Sequence, residues 1–273
     1  MNRKRLQFIL IAGMLALTAA LYFFPRKINQ SENVVEAEEF GVGYDLIIEQ
    51  AKSQLDASEL EIIRSAEDVL SKDTGNVALM DTLARLWDKA RFPVVSAHYF
   101  EKIANRQPSE SNWINAAFRY FDAFKGSSDS MVKAMMVEKS IRAYKKVLEI
   151  NPDNLNAKTD LGICYAEGTS NPMQGIMMLR EVVEKNPDHE NAHYNLGILS
   201  LKSGQNEKAV ERFEKVLKIN PSRIEARYLL GRTYFENGNK EKALEVLKDM
   251  NKFTSDLEVL REVDKLINHI NNQ

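Results

Sequence analysis

From residue 44 onward the apolar positions recur three and four residues apart rather than in alternation, which predicts amphipathic helices rather than strands. The pattern is sharpest at Leu161-Gly162, Leu196-Gly197 and Leu230-Gly231, pairs that lie 35 and 34 residues apart. Within one period, Asn186-Pro187-Asp188 forms a turn that starts a helix, and His193, Leu196, Gly197 and Ser200 then share one face of it. The glycine on that face lets a second helix approach closely. Gly204 ends the first helix where a left-handed cap is favoured, the chain returns through Ala209, Phe213, Val216 and Leu217, and Asn220-Pro221 closes the unit. A fixed period of this length predicts an all-helical chain, an α-solenoid of stacked helix-turn-helix units. With 12 Gly and 7 Pro in 273 residues, long helices joined by short turns are the natural reading.

The pattern resembles the tetratricopeptide repeat family, whose units run an aromatic, a Leu-Gly pair, a tyrosine, then a small residue, an aromatic and a closing proline. The following unit carries Leu230, Gly231, Tyr234, Gly238, Ala243 and Leu247, with Ser255 where the proline would stand. The preceding one carries Leu161, Gly162, Tyr165, Gly175 and Leu179. Weaker matches run back through Trp113, Ala116, Ala117 and Tyr120 to Leu83, Ala84 and Trp87. Five units are thereby expected at 77–110, 110–152, 155–188, 190–223 and 224–254. In the second, about eleven extra residues around Lys125 to Ala134 are expected to lengthen the turn. Residues 44–76 read as an N-terminal capping helix pair and 255–273 as a C-terminal capping helix with an apolar stripe of Leu257, Leu260, Val263, Leu266 and Ile267, since end units need a polar outer face. Either cap could instead bind a partner.

The N-terminus follows a different pattern. Leu6 to Phe24 holds no charge and is long enough as a helix to cross a bilayer, with Tyr22, Phe23 and Phe24 at an interfacial belt and Pro25-Arg26-Lys27 as a stop. A cleaved signal peptide ending near Thr18-Ala19-Ala20 is the competing reading. The expected order is a cytoplasmic basic tail at 1–5, a transmembrane helix at 6–24 and an acidic linker at 25–43. Arg3-Lys4-Arg5 outweigh Arg26-Lys27, which predicts a single-pass protein of a bacterial-type inner membrane with its soluble domain on the periplasmic side. Beyond those first 27 residues, 32 bases face 39 acids, a net of −7, which argues against a nucleic-acid partner.

Candidate chemistry is sparse. The single cysteine, Cys164, excludes an internal disulfide and reads as an inert core residue. His189-Glu190-Asn191-Ala192-His193 spells His-Glu-x-x-His, the arrangement that on a helix aims two imidazoles at zinc with the glutamate as general base of a hydrolase. However, His189 sits at the helix start, His193 occupies the place where the repeat packs an aromatic, and no third ligand follows at metalloprotease spacing. The expectation is therefore no enzyme activity, no metal and no cofactor.

The opposite side of each first helix carries a second stripe. It runs through Ile114, Phe118 and Phe121, then Thr159, Ile163 and Ala166, then Tyr194, Ile198 and Leu201, and finally Tyr228, Arg232 and Phe235. The family resemblance implies that this stripe lines a concave groove that binds a peptide or protein segment, with burial by the neighbouring unit as the alternative. Asn195 stands alone, so the carboxylate clamp of the family's co-chaperone members is absent. The resemblance implies a membrane-anchored scaffold or adaptor. A further alternative is a chaperone of the cytochrome c maturation type, whose ligand would be an apocytochrome segment.

Overall fold

A computed structural model describes residues 41–272, and among them are thirteen α-helices and one 3-10 turn. The expected basic tail, the span Leu6 to Phe24 and nearly all of the linker lie outside the described residues. Only 41–43 of that linker are described, and they open a helix. Among the described residues no helix is long and apolar enough to cross a membrane. The chain divides into two compact units, 1–53 and 54–273. The described part of the first is helix α1 (Gly41–Lys52), which ends in a Lys52 to Glu49 ion pair at 3.1 Å.

The second unit opens with α2 (Ala57–Lys72), whose N-terminus is closed by the Asp56 carboxylate accepting from Glu59 N–H. Five hairpins follow in chain order: α3 (Val77–Lys89) with α4 (Pro93–Arg106), α5 (Glu110–Gly126) with α6 (Ser130–Ile150), α7 (Leu155–Gly168) with α8 (Pro172–Lys185), α9 (Glu190–Lys202) with α10 (Asn206–Ile219), and α11 (Ile224–Glu236) with α12 (Lys240–Lys248). A 3-10 turn (Met250–Lys252) leads to α13 (Leu257–Asn271). From α2 onward each helix packs on the next along the chain, the pattern of a solenoid.

The packing inside a hairpin follows from the sequence faces. In the first, Leu83, Ala84 and Trp87 of α3 meet Ser96, Phe100 and Ile103 of α4, all buried. In the fourth, His193, Leu196 and Gly197 of α9 meet Ala209, Phe213 and Val216 of α10. Gly197 is required there: a Cβ would lie 2.7 Å from Cε1 of Phe213, well inside van der Waals contact. The turns are set as locally. Gly204 (φ 70°) and Gly238 (φ 76°) follow α9 and α11 in the left-handed region. Arg91 holds the same place after α3 at φ 64°, the one non-glycine residue among those described to do so, and a Cβ is disfavoured in that conformation.

Two expectations change. The extra residues of the second unit do not make a long turn. Gly126 still belongs to α5, Asp129 accepts from Met131 and Val132 N–H to start α6, and the surplus extends both helices, α6 to 21 residues. Capping by an aspartate just past Gly126-Ser127-Ser128 keeps the turn short. The projecting part of the hairpin is itself packed, for Val137 and Phe124 lie against the backbone of Gly168 at the end of α7. The last unit, without its closing proline, is cut short: α12 has nine residues, and the 3-10 turn then buries Met250. In α13 the expected stripe holds at Val263 and at the half-buried Leu260, Leu266 and Ile267, which pack against the same core cluster, while Leu257 is 68% exposed and Ile270 is a second buried residue.

Two substitutions test this packing. Gly197→Leu should lower unfolding free energy by about 1 to 3 kcal/mol through overpacking against Phe213, measured by chemical denaturation; an unchanged midpoint would show that the two helices can part at no cost. Arg91→Gly should act the other way and raise the melting temperature, because relief of the left-handed strain, about 1 to 2 kcal/mol, exceeds the added entropy of the unfolded chain, about 0.5 to 1 kcal/mol.

Candidate binding groove

The first helices of successive hairpins touch directly, α5 with α7 and α7 with α9, and α11 touches α13. The second helices stand farther from one another, so the first-helix face is the inner face of the stack. This is the face that carries the second stripe.

Along it the stripe residues are not equivalent. In α5, Phe118 is 52% exposed, Ile114 is half-buried, and Phe121 turns its ring edge toward Phe124 and Tyr144. In α7, Ile163 (6% exposed) and Thr159 are core residues, so the middle of the face is closed by packing and Ile163 lines no opening. In α9, Tyr194, Ile198 and Leu201 are half-buried and lean on the cluster built by Phe213, Leu230 and Tyr234. Asn195 is turned back onto its own helix, donating to Asn191 C=O at 2.7 Å. In α11, Arg232 is exposed and paired with Glu236 at 2.7 Å, and Phe235 is covered by His269 of α13 with ring centres 5.6 Å apart.

The stripe opens at the C-terminal end, where α9, α11 and α13 enclose a cleft of about 700 Å³. Tyr194, Tyr228, Leu229 and Val259 form its apolar walls, and Glu225, Glu258 and Glu262 stand around it with Arg261 and Lys265. One face of Tyr194 is covered by the Arg223 guanidinium at 4.8 Å, which Glu190 holds at 2.9 Å. Tyr194 and Tyr228 belong to the stripe read from the sequence. A binding role for α13 was left as an alternative to capping without naming residues, because Val259 and Glu262 lie beside the stripe that caps the core and only the angle of α13 to α11 brings them to the groove.

The charged N-terminal end of this face is a joint. Asp88 accepts from Arg119 Nη2 at 2.7 Å and Nε at 3.0 Å, and Arg119 lies over the Phe100 ring at 4.5 Å. Similar polar links recur at each step. Glu110 accepts from Asn151 and Asn154, and Glu190 from Asn220 and Arg223. Glu167 holds both Lys125 of α5 and Lys202 of α9. Burial opposes ionisation of Glu167, yet the two ammonium groups together hold it below the usual carboxylate range.

His189 and His193 belong to this joint system. His189 caps α9, its Nδ1 accepting from Ala192 N–H at 3.3 Å, and its Nε2 meets Asn156 Oδ1 of α7 at 3.1 Å. His193 Nε2 meets Pro187 C=O at 2.9 Å and Nδ1 faces Arg212 Nη1 at 3.1 Å. All four ring nitrogens are engaged by protein groups, and Glu190 is spent on the next repeat. Burial lowers the pKa of both rings. Cys164 is fully buried, its Sγ 3.4 Å from Ser140 Oγ, and burial pushes the thiol up to about 12, which leaves it unreactive.

A tetratricopeptide repeat model matches residues 178–211 and a second such model residues 200–260. This stretch is therefore built of tetratricopeptide repeats. No curated protein matches the chain. Among solved structures, a tetratricopeptide repeat protein from Parabacteroides merdae is 17% identical with a TM-score of 0.57, covering 83% of this chain and 86% of that one. MamA from Desulfovibrio magneticus RS-1 (residue 41 to its end) is 16% identical with a TM-score of 0.50, covering 65% and 94%. At these identities the likeness concerns the fold, an all-helical solenoid of the tetratricopeptide type, and no enzyme family is indicated.

His189 offers a pH test. A histidine whose folded pKa is depressed contributes stability that is complete above its unfolded pKa, about 6.5, and is lost as pH falls through the folded value. His189→Asn keeps an N-cap acceptor without a titrating ring. Its stability should thus gain on the wild type between about pH 7 and pH 5, read from paired urea titrations; parallel curves would show that the ring does not need to be neutral.

Proposed function

We propose that the chain is a membrane-anchored scaffold that holds a peptide or protein segment in the inner groove of its repeats. The observation that carries this reading is the cleft between α9, α11 and α13, where Tyr194, Tyr228 and Val259 present an apolar surface within a ring of charged side chains. Apolar walls with a charged rim suit a segment that buries one or two side chains and keeps its polar groups at the edge. The net charge of −7 beyond the first 27 residues favours protein over nucleic acid as partner. Leu6 to Phe24 serves as the anchor, 25–40 as a spacer, and the base count favours the periplasmic side of an inner membrane for the repeats.

The groove is tested by a photo-crosslinking residue at position 228 in the full-length chain, compared with one at the outward-facing Met131. A protein adduct is expected from position 228 only, and Tyr228→Glu combined with Val259→Glu should abolish capture at a neighbouring crosslinking position. Since both side chains are half-buried against the core, that double substitution should cost about 1 to 3 kcal/mol, and capture is scored on protein that still unfolds cooperatively. Capture that survives in the folded double variant would move the binding face elsewhere. Membrane attachment is tested separately by alkaline carbonate washing, after which the protein should remain in the pellet; a soluble mature form beginning near Leu21 would replace the anchor by a signal peptide.

A further inference from the structure

On the opposite side of the stack, away from the groove, α8, α9 and α10 enclose a second cleft of about 520 Å³. Ile176, Val183, Leu196 and Leu199 form its apolar walls, continuous with the core cluster of Leu179, Val182 and Ala192. At its edge stand Arg180 and Arg212. Among the described residues neither guanidinium is paired with a carboxylate, although Glu184 and Glu211 also line the cleft. Arg212 is half-buried, and the protein group that meets it is the neutral Nδ1 of His193.

That is an unusual way to leave an arginine. A partly buried cation needs an opposing charge to recover its lost hydration, and a neutral imidazole nitrogen supplies only a dipole. Burial lowers the pKa of Arg212, Glu211 opposes this in part, and Arg180 adds a smaller lowering, so the nearby carboxylate does not restore what burial removes. With Lys208, the cleft holds three cations against two anions. One negative charge from outside would balance it.

The polar groups of the cleft are already committed. Ser200 Oγ donates to Leu196 C=O and Ser203 Oγ to Leu199 C=O, Gln205 Nε2 donates to Ser203 Oγ, and Lys208 Nζ to Gln205 Oε1. A peptide would bring amide groups for which these side chains have little to offer. An alkyl chain brings none. We infer that this outer cleft is a binding site for an amphiphile with one carboxylate on an apolar chain, of the fatty-acid type, its head held between Arg180 and Arg212 and its tail on Ile176, Val183, Leu196 and Leu199.

The test is calorimetric titration of the full-length protein with octanoate, octanol, acetate and N-acetyl-Leu-Leu. Octanoate should bind one-to-one and about tenfold or more tightly than octanol, the difference expected of a charge-assisted contact, and acetate should not bind measurably. Arg180→Gln, at an exposed position, should weaken octanoate about tenfold with an unchanged melting temperature. Arg212→Gln should do the same if it folds, and Arg212→Lys should restore part of the loss. Equal binding of octanol or of acetate, or an unaffected Arg180→Gln protein, would overturn the site. Dipeptide binding equal to octanoate would replace the fatty-acid assignment with a peptide C-terminus.

Discussion

The structure rests on how closely two helices of one hairpin can approach. Where Gly197 faces Phe213, no side-chain atom separates the α9 backbone from the aromatic ring, and Gly231 faces Leu247 in the same way. Close approach lets each helix contribute a continuous buried face, and dispersion and burial then hold the pair without a strand or a disulfide. A hairpin alone cannot cover both of its faces. Stacking supplies the rest, which is why the cores of successive units merge and why the terminal helix α13 is needed to cover Phe235, Leu230 and their neighbours.

Stacking also requires an angle between units, and polar groups at the unit edges hold it. Asp88 with Arg119 and Asn156 with His189 join residues of one unit to the next, while Glu110 with Asn151 and Asn154, and Glu190 with Asn220 and Arg223, tie the first helix of a unit to the turn that leads into the next. None is individually large, since such partly exposed pairs contribute about 1 kcal/mol or less. Their effect is on geometry. By drawing first helices together they close the middle of the inner face at Ile163 and leave it open at the end, where Tyr194 and Tyr228 look across at Val259.

Much of the fold was legible from particular residues. The Leu-Gly pairs, the Asn-Pro turns and Gly204 are places where one residue type is required by local geometry, so they mark helices, turns and period directly. The second hairpin was harder, because Gly126-Ser127-Ser128 has the composition of a loop while Asp129 has the geometry of a cap, and the cap decided where α6 begins. The groove was legible as a stripe but not as a surface. Whether Ile163 or Tyr228 is covered depends on the tilt of the next helix, which no local pattern encodes, and the same tilt brings α13 to the site. The histidine motif shows the converse: its spacing suits a metal, whereas its environment, with every ring nitrogen already bonded, makes it a fastening between units.

The long α5–α6 hairpin has a consequence for how the stack comes apart. Most units touch only their neighbours through short edges, but Val137 and Phe124 of this hairpin sit against the end of α7, and Lys125 reaches Glu167, which is also tied to Lys202 of α9. The hairpin therefore overlaps the following unit and is linked through it to the one after. Fraying that starts at the C-terminal end can peel α13 and the last units one by one, each losing a single interface, until it meets this overlap, where the interface to be opened is more extensive than the junctions between the later units. The stack is thus mechanically uneven, with a pliable end that carries the groove and a stiffer body behind it.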